Sequence, residues 1–199
     1  RCAVDSKYRS IFLSGLNASN GFWNTGCTWL MNASRSARFL GGGTLIMRAV
    51  NAGDQSFDTI IRLRDPEFRA IRVQGDGIVI GAGATMAAVV ANRDLAFLAP
   101  VARVIGGPAV RNMATVRGNL FAHGNYGDFA VALLALGASV TVAGMGSRAI
   151  PIDDFLRDRD RYASSLVQSV SVPRPHTGGP VRRLALPTLA TLGLVAFGL

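Results

Sequence analysis

The chain has few cysteines and few lysines, and both shortages narrow the kinds of site it can contain. Its only cysteines, Cys2 and Cys27, form no C-x-x-C pair, so the sequence supports neither an iron–sulfur cluster nor a structural zinc site. The single lysine is Lys7, and no Gly-x-x-x-x-Gly-Lys-Ser/Thr phosphate loop surrounds it. No nucleophile–base pair is recognisable. We therefore assign no catalytic residue and no metal ligand.

Long apolar runs are also scarce. The run at residues 11–13 is too short for the apolar part of a signal peptide. An apolar tail at residues 184–199 is slightly short for a membrane span and contains Pro187. Two isolated cysteines fit a reducing compartment. We therefore expect a cytoplasmic protein without a membrane anchor.

The charge pattern argues against a nucleic-acid partner despite a formal net charge of +9. The basic residues are almost all arginines, and they are scattered singly, with no run longer than Arg182-Arg183. They are not interleaved with aromatic residues in a pattern that could stack bases. The hydrophobic fraction of 49% and the charged fraction of 17% instead indicate a folded chain with a hydrophobic core.

Two glycine-bearing motifs are the most informative features. The first is Leu40-Gly41-Gly42-Gly43-Thr44, the second spans residues 111–119, and a single acid, Asp128, follows shortly after. Glycine-rich loops can turn several backbone N–H groups toward one point, which makes a nest for a phosphate or pyrophosphate. An acid without a nearby basic partner suits hydroxyl groups such as those of a ribityl chain. Together the motifs predict a flavin dinucleotide that lies across both loops.

The remaining sequence predicts a mixture of helices and strands. Apolar residues at helical spacing, turn residues and period-two alternation set the boundaries. We expect strands at 37–40, 59–63, 71–74, 78–80, 139–142, 148–150 and 166–172. We expect helices at 85–92, with Thr85 as its N-cap, at 96–105, at 129–136 and from 151 onward. The sum is an α+β fold with two lobes.

Between residues 34 and 175 the chain resembles the flavin-binding subunit or domain of molybdenum hydroxylases, the family of the carbon monoxide dehydrogenase medium subunit and the xanthine dehydrogenase FAD domain. The family's first FAD loop, Gly-Gly-Gly-Thr plus two or three residues, matches residues 41–46. Its second, Arg-Asn-x-x-Thr-x-Gly-Gly-Asn, matches residues 111–119 except at Arg117. The Asp of Gly-Asp-Phe, which in the family binds the flavin's sugar-like chain, falls on Asp128.

The resemblance implies a two-lobed FAD-binding fold of the PCMH/vanillyl-alcohol-oxidase type, with its C-terminal lobe missing or degenerate. We expect an atypical N-terminal segment (1–33), a small FAD-binding lobe (34–64), a larger one (65–175) and an atypical apolar tail (176–199). In the family, residues beyond position 175 complete the pocket, so we expect weaker flavin binding than in full-length relatives.

The resemblance also implies which residues hold FAD, and the positions fall into three groups. The first loop supplies Leu40, Gly41, Gly42, Gly43, Thr44, Leu45 and Ile46. The second motif supplies Ala114, Thr115, Val116, Arg117, Gly118 and Asn119, and the acid is Asp128. Ile105 and Val167 are placed against the ring or the adenine by positional match only.

By the family's logic, the chain is an electron-transfer subunit of a flavoprotein oxidoreductase that does not act on substrate alone. Its partners would be a molybdopterin-binding large subunit and a small subunit with [2Fe-2S] clusters, and FAD would pass their electrons to an external acceptor. Two alternatives stay open. One is a stand-alone flavoenzyme related to UDP-N-acetylenolpyruvylglucosamine reductase, and the other is a truncated or degenerate paralogue that no longer binds FAD.

Arg117 departs from the family's glycine. If the backbone there has a positive φ, a side chain adds strain, although a guanidinium could also pair with a phosphate. We favour a strained side chain that avoids the phosphates, so that Arg117→Gly would strengthen FAD binding and raise the melting temperature.

Overall fold

The computed structural model describes residues 4–5, 8–13, 37–53, 56–57, 59–63, 65–122, 127–143, 148–163 and 165–174. Within these ranges the fold contains two β-sheets with helices, which confirms the predicted α+β class. The strands are β1 (Val4–Asp5), β2 (Tyr8–Leu13), β3 (Ala37–Leu40), β4 (Thr59–Leu63), β5 (Ile71–Gln74), β6 (Gly77–Gly81), β7 (Ser139–Val142), β8 (Arg148–Pro151) and β9 (Val167–Pro173). The α-helices are α1 (Thr44–Asn51), α2 (Met86–Ala91), α3 (Ala99–Val104), α4 (Pro108–Met113), α5 (Val116–Leu120), α6 (Asp128–Ala135) and α7 (Ile152–Arg157).

The first sheet has the strand order β1-β2-β4-β3. Strand β3 lies parallel to β4, with Leu40 opposite Arg62, and β2 lies parallel to β4 on its other side. Parallel neighbours need a crossover connection, and between β3 and β4 helix α1 provides it. The first glycine loop therefore opens directly from the carboxyl end of β3. Strands β1 and β2 come from the segment before residue 34 and extend the same sheet.

The second sheet is antiparallel, with the strand order β5-β6-β9-β7-β8. The strands of the first sheet come before residue 65 in the sequence, and those of the second sheet come after it. Both sheets contribute to one hydrophobic core, in which Phe39 and Ile61 of the first sheet join Ile80 and Val170 of the second. Because the core is continuous, β3 and the loop that follows it are packed against the part of the chain that carries the second motif.

Most predicted elements are present. The Thr85 hydroxyl accepts a hydrogen bond from the Ala88 N–H at 3.1 Å, which is the expected cap of α2. The helix predicted at 96–105 is shorter and begins at Ala99, because Pro100 favours its first turn. Helices α1, α4 and α5 were not predicted. Helix α1 begins directly after the first glycine loop, and α4 and α5 contain residues of the second motif, which we interpreted as a loop.

Among the described residues, no helix is long and apolar enough to cross a membrane. In the same ranges, no group of three or more His, Cys, Asp or Glu side chains is placed to hold a metal ion. Cys2, Cys27 and the tail at 176–199 lie outside the described residues.

Candidate functional site

The candidate site begins at the junction between β3 and α1. Gly43 adopts φ 84° and ψ −11° and immediately precedes the helix, whose first internal hydrogen bond runs from the Met47 N–H to the Gly43 carbonyl at 2.8 Å. The N–H groups of Thr44, Leu45 and Ile46 have no acceptor within the helix, and no side chain among the described residues caps this end. These N–H groups and the helix dipole together favour an anion at this end.

The second motif is not an open loop. It forms the two short helices α4 and α5, which are joined at Ala114 and Thr115. Backbone hydrogen bonds attach this junction to the chain after β6: the Met86 N–H donates to the Ala114 carbonyl at 2.9 Å, and the Val116 N–H donates to the Ala84 carbonyl at 2.9 Å. These hydrogen bonds hold the second motif against the segment that follows β6.

The backbone donors of the second motif are used within the protein. The Arg117 N–H donates to the Ala82 carbonyl at 2.8 Å, and the Asn119 N–H donates to the Thr115 carbonyl at 3.0 Å. The Gly118 N–H donates to the Thr115 hydroxyl oxygen at 3.2 Å. The second motif was predicted to be an open loop with an N–H nest; at residues 116–119 the structure instead uses all four donors in helix α5 and in the contact with residues 82–84.

The two motifs are nevertheless in direct contact, as a dinucleotide site across both of them requires. A Cβ atom added to Gly41 would lie 2.3 Å from the Thr115 hydroxyl oxygen, and one added to Gly42 would lie 1.3 Å from the Met113 carbonyl oxygen. Real Cβ atoms do not approach so closely. Glycine is needed here because the first loop packs against the Thr115 side chain at Gly41 and against the Met113 backbone at Gly42.

Asn119 connects the second motif to the acid. Its Oδ1 accepts a hydrogen bond from the Ala130 N–H at 3.2 Å, and Ala130 lies in the first turn of α6. Asn119 therefore caps the next helix along the chain. That helix begins at Asp128, which is exposed, while the next residue, Phe129, is fully buried. The carboxylate is held at the surface by a buried neighbour and by this cap.

Replacing Asn119 with alanine is expected to reduce the free energy of unfolding by about 1–2 kcal/mol, because the first turn of α6 loses its cap. FAD binding should weaken as well, since Asp128 begins that helix. Urea unfolding measures the first effect. The matched control is Asn92→Ala, which removes the cap on the Asp94 N–H away from α6; equal loss of FAD affinity in this control would contradict the role of Asn119.

Arg117 does not have the strained backbone that we predicted. It lies inside α5, and no non-glycine residue has a positive φ in the described part of the chain. Its side chain is buried, and desolvation, followed by the like charge of Arg38, lowers its pKa to about 10. The guanidinium is therefore still charged at neutral pH. It donates from Nη1 to the Phe39 carbonyl at 3.0 Å and from Nη2 to the Ala163 carbonyl at 3.2 Å.

The other residues predicted to bind FAD differ in how exposed they are. Leu40, Leu45 and Ile46 are partly buried, and Thr44 is exposed. Ile105 is partly buried against the core, and the prediction that it touches the cofactor stays a prediction. Val116 and Val167 have no exposed surface, and the prediction that they contact the cofactor stays a prediction.

Sequence reasoning missed the roles of Phe39 and Met113. Both contribute through backbone carbonyls: Phe39 to the Arg117 guanidinium and Met113 to the close packing of Gly42. No residue pattern marks a carbonyl for such a role.

Comparison with known proteins gives consistent results. Residues 26–175 match the family described as "FAD binding domain in molybdopterin dehydrogenase". The carbon monoxide dehydrogenase medium chain of Hydrogenophaga pseudoflava is 32% identical over 126 residues, covering 60% of this chain and 44% of that protein. The medium chain of Afipia carboxidovorans is 30% identical over 159 residues (75% and 55%). The nicotinate dehydrogenase FAD-subunit of Eubacterium barkeri is 25% identical over 174 residues (80% and 59%).

Solved structures show the same fold. Carbon monoxide dehydrogenase from Hydrogenophaga pseudoflava superposes with a TM-score of 0.74 at 24% identity, covering 88% of this chain and 62% of that chain. Quinoline 2-oxidoreductase from Pseudomonas putida 86 superposes with a TM-score of 0.71 at 19% identity, covering 88% and 61%.

The chain spans about half the length of the curated relatives it matches. The resemblance predicted from the glycine motifs is confirmed, and FAD is the cofactor that the family indicates. Since the family match extends over residues 26–175, well over half of the chain, the protein belongs to the family of FAD-binding domains of molybdopterin dehydrogenases.

Proposed function

We propose that this chain binds FAD and serves as the flavin-containing, electron-transferring part of a molybdenum hydroxylase. One observation carries the proposal. The uncapped N terminus of α1 is held against the second motif by Gly41 and Gly42, at positions where a Cβ atom would collide with Thr115 or Met113. Such close packing leaves the first-turn N–H groups of α1 beside the second motif, as a dinucleotide across both motifs requires.

The residues present fit FAD, but the two motifs have different roles. The sequence predicted that both would bind the pyrophosphate through N–H groups, whereas the structure favours the first loop for this role. The first loop and the start of α1 would receive the pyrophosphate through Gly42, Gly43, Thr44, Leu45 and Ile46, because an anion at a helix N terminus is stabilised by N–H groups and the dipole. The second motif, residues 114–119, would support this loop and line the site. Its own N–H groups are mostly occupied.

Asp128 would bind hydroxyl groups of the ribityl chain. It is exposed, it begins α6, and the cap from Asn119 fixes that helix to the second motif. When bound, FAD supplies the redox chemistry of the site. The chain's own residues bind and orient the cofactor, which agrees with the lack of an assigned catalytic residue.

We further propose the partners that the family implies: a molybdopterin-binding large subunit and a small subunit with [2Fe-2S] clusters that delivers electrons to FAD. The relatives' names, "medium chain" and "FAD-subunit", support an assembly of several chains. A cytoplasmic location fits the two isolated cysteines. In this proposal the chain does not act on a substrate by itself.

The test of the function is the visible absorption spectrum of the purified chain after addition of FAD and removal of free flavin. The proposal expects the two flavin absorption bands to remain with the protein. A colourless protein that also fails to bind FAD in an equilibrium titration would favour a non-binding paralogue. Oxidation of a nicotinamide cofactor coupled to reduction of an enolpyruvyl sugar nucleotide would favour a stand-alone reductase.

Replacing Asp128 with alanine is expected to raise the FAD dissociation constant by about ten- to a hundredfold, because a hydrogen bond to a charged group contributes about 1.5–3 kcal/mol. Stability should fall only slightly, since the carboxylate is exposed and interacts mainly with the helix dipole. Asp153, also exposed in the first turn of a helix, provides the matched control. FAD affinity that is unchanged in Asp128→Ala would remove this residue from the site.

A further inference from the structure

Arg117 belongs to the second glycine motif, and its side chain reaches the strand that leads into the first. Its Nη1 donates to the carbonyl of Phe39, two residues before Gly41, and its Nη2 donates to the carbonyl of Ala163, in the turn after α7. The Phe39 carbonyl is at the end of β3, and the first glycine loop follows it directly. The guanidinium therefore connects the base of that loop to a separate part of the fold.

The surroundings of Arg117 hold its side chain in one position. Its Cζ lies 4.7 Å from the centroid of the Phe121 ring and 5.5 Å from that of the Phe39 ring. Phe121 packs edge-on against Phe155, which in turn stacks on Tyr162. Both aromatic faces attract the cation, and the rings behind them are part of the packed core or lie against it.

Arg117 is not a typical packing residue, because a buried cation is expensive unless its charge is compensated. Residue 117 is only 7% exposed, and its Nε has no hydrogen-bond partner in the described part of the structure. The two carbonyls and two ring faces compensate the charge only in part. Moving either carbonyl away would break one of the two hydrogen bonds that compensate the buried charge. The position of the base of the first loop is thereby coupled to this side chain.

We propose that Arg117 is a positioning residue for the FAD site: it ties the base of the first glycine loop to the Ala163 turn and keeps the N terminus of α1 in place for the pyrophosphate. This inference rests on the proposed function, since it concerns the same cofactor. It assigns to Arg117 neither a contact with phosphate nor a strained backbone. It also reverses the expectation for a glycine at this position, because Arg117→Gly removes both hydrogen bonds and should weaken FAD binding.

The test compares Arg117→Met, which loses the charge and both hydrogen bonds, with Arg117→Lys, which keeps the charge but cannot reproduce the two-pronged contact. Two quantities are measured: the FAD dissociation constant, and the hydrogen-exchange rate of the Met47 amide, whose bond to the Gly43 carbonyl closes the first turn of α1. We expect Arg117→Met to raise the dissociation constant about tenfold and Arg117→Lys about threefold. Exchange at Met47 should be faster in both variants without FAD.

The matched control is Ile150→Ala, which removes a core side chain from β8, in the second sheet and away from both motifs. It should lower the melting temperature without changing the FAD dissociation constant or exchange at Met47. Wild-type affinity in Arg117→Met, or an equal loss of affinity in Ile150→Ala, would overturn the inference. If Arg117→Met does not fold, unchanged affinity and exchange in Arg117→Lys overturn it.

Failure of the proposed function gives a different result. If the unsubstituted chain does not bind FAD, the proposed function is wrong, and the dissociation constants cannot be compared. The exchange rate of the Met47 amide in the absence of FAD still decides whether Arg117 holds the first loop in place. An unchanged rate in both Arg117→Met and Arg117→Lys would show that it does not.

Discussion

Replacing Gly42 with alanine is expected to abolish FAD binding and to reduce the free energy of unfolding by about 3 kcal/mol or more. The added methyl group would lie 1.3 Å from the Met113 carbonyl oxygen, so the first loop and the second motif must move apart. Such a movement displaces the N terminus of α1 from the position in which it faces the second motif. The measurements are an equilibrium titration with FAD and urea unfolding of the unliganded protein.

Gly107 offers the matched control for this substitution. A Cβ atom added there meets no described residue within 4 Å, and the Gly107 φ of −83° is accessible to alanine. Gly107→Ala should therefore leave FAD binding intact. If Gly42→Ala bound FAD as tightly as the unsubstituted protein, the two motifs would not have to touch for the site to form.

Replacing Phe129 with alanine is expected to cost about 3–5 kcal/mol of stability, because a fully buried aromatic side chain is removed. Since Phe129 directly follows Asp128, the loss of this anchor should also disorder the start of α6. Phe129→Leu separates the two effects. It retains an apolar side chain in the core, so it should lower the melting temperature moderately while keeping FAD affinity within about twofold of the unsubstituted chain.

The result that would contradict this interpretation is a large loss of FAD affinity in Phe129→Leu with little change in melting temperature. Phe129 would then act on the cofactor directly and not as a core anchor. Thermal unfolding followed by circular dichroism, together with the FAD titration, distinguishes the two cases.

Patterns with a local physical cause were predicted well from the sequence. Strands β5 and β6 flank a short Gly-containing turn, β5 alternates apolar and polar residues, and the structure pairs the two strands with Val73 opposite Ile78. The capping role of Thr85 was also predicted from the sequence, because a threonine before an apolar helical run is a common helix start. The family signal in residues 41–46 and 111–119 predicted the cofactor class.

What could not be predicted depends on contacts between residues far apart in sequence. The helix α5 contains Gly118, so the motif resembled a loop, and only the backbone bonds to residues 82 and 84 show why its N–H groups are occupied. The position of Arg117 was predicted wrongly because its partner carbonyl, on Phe39, is 78 residues away. The capping of α6 by Asn119 spans a shorter stretch of chain, but it too joins two separate elements.

The central claim is that the N terminus of α1 binds the pyrophosphate of FAD. The most direct measurement is a parallel equilibrium titration of the purified chain with FAD and with riboflavin, which lacks phosphate. The account predicts one FAD per chain and a dissociation constant for FAD at least about tenfold below that for riboflavin, since charged hydrogen bonds to the pyrophosphate contribute several kcal/mol in total. Absence of FAD binding, or equal affinity for both flavins, would contradict it.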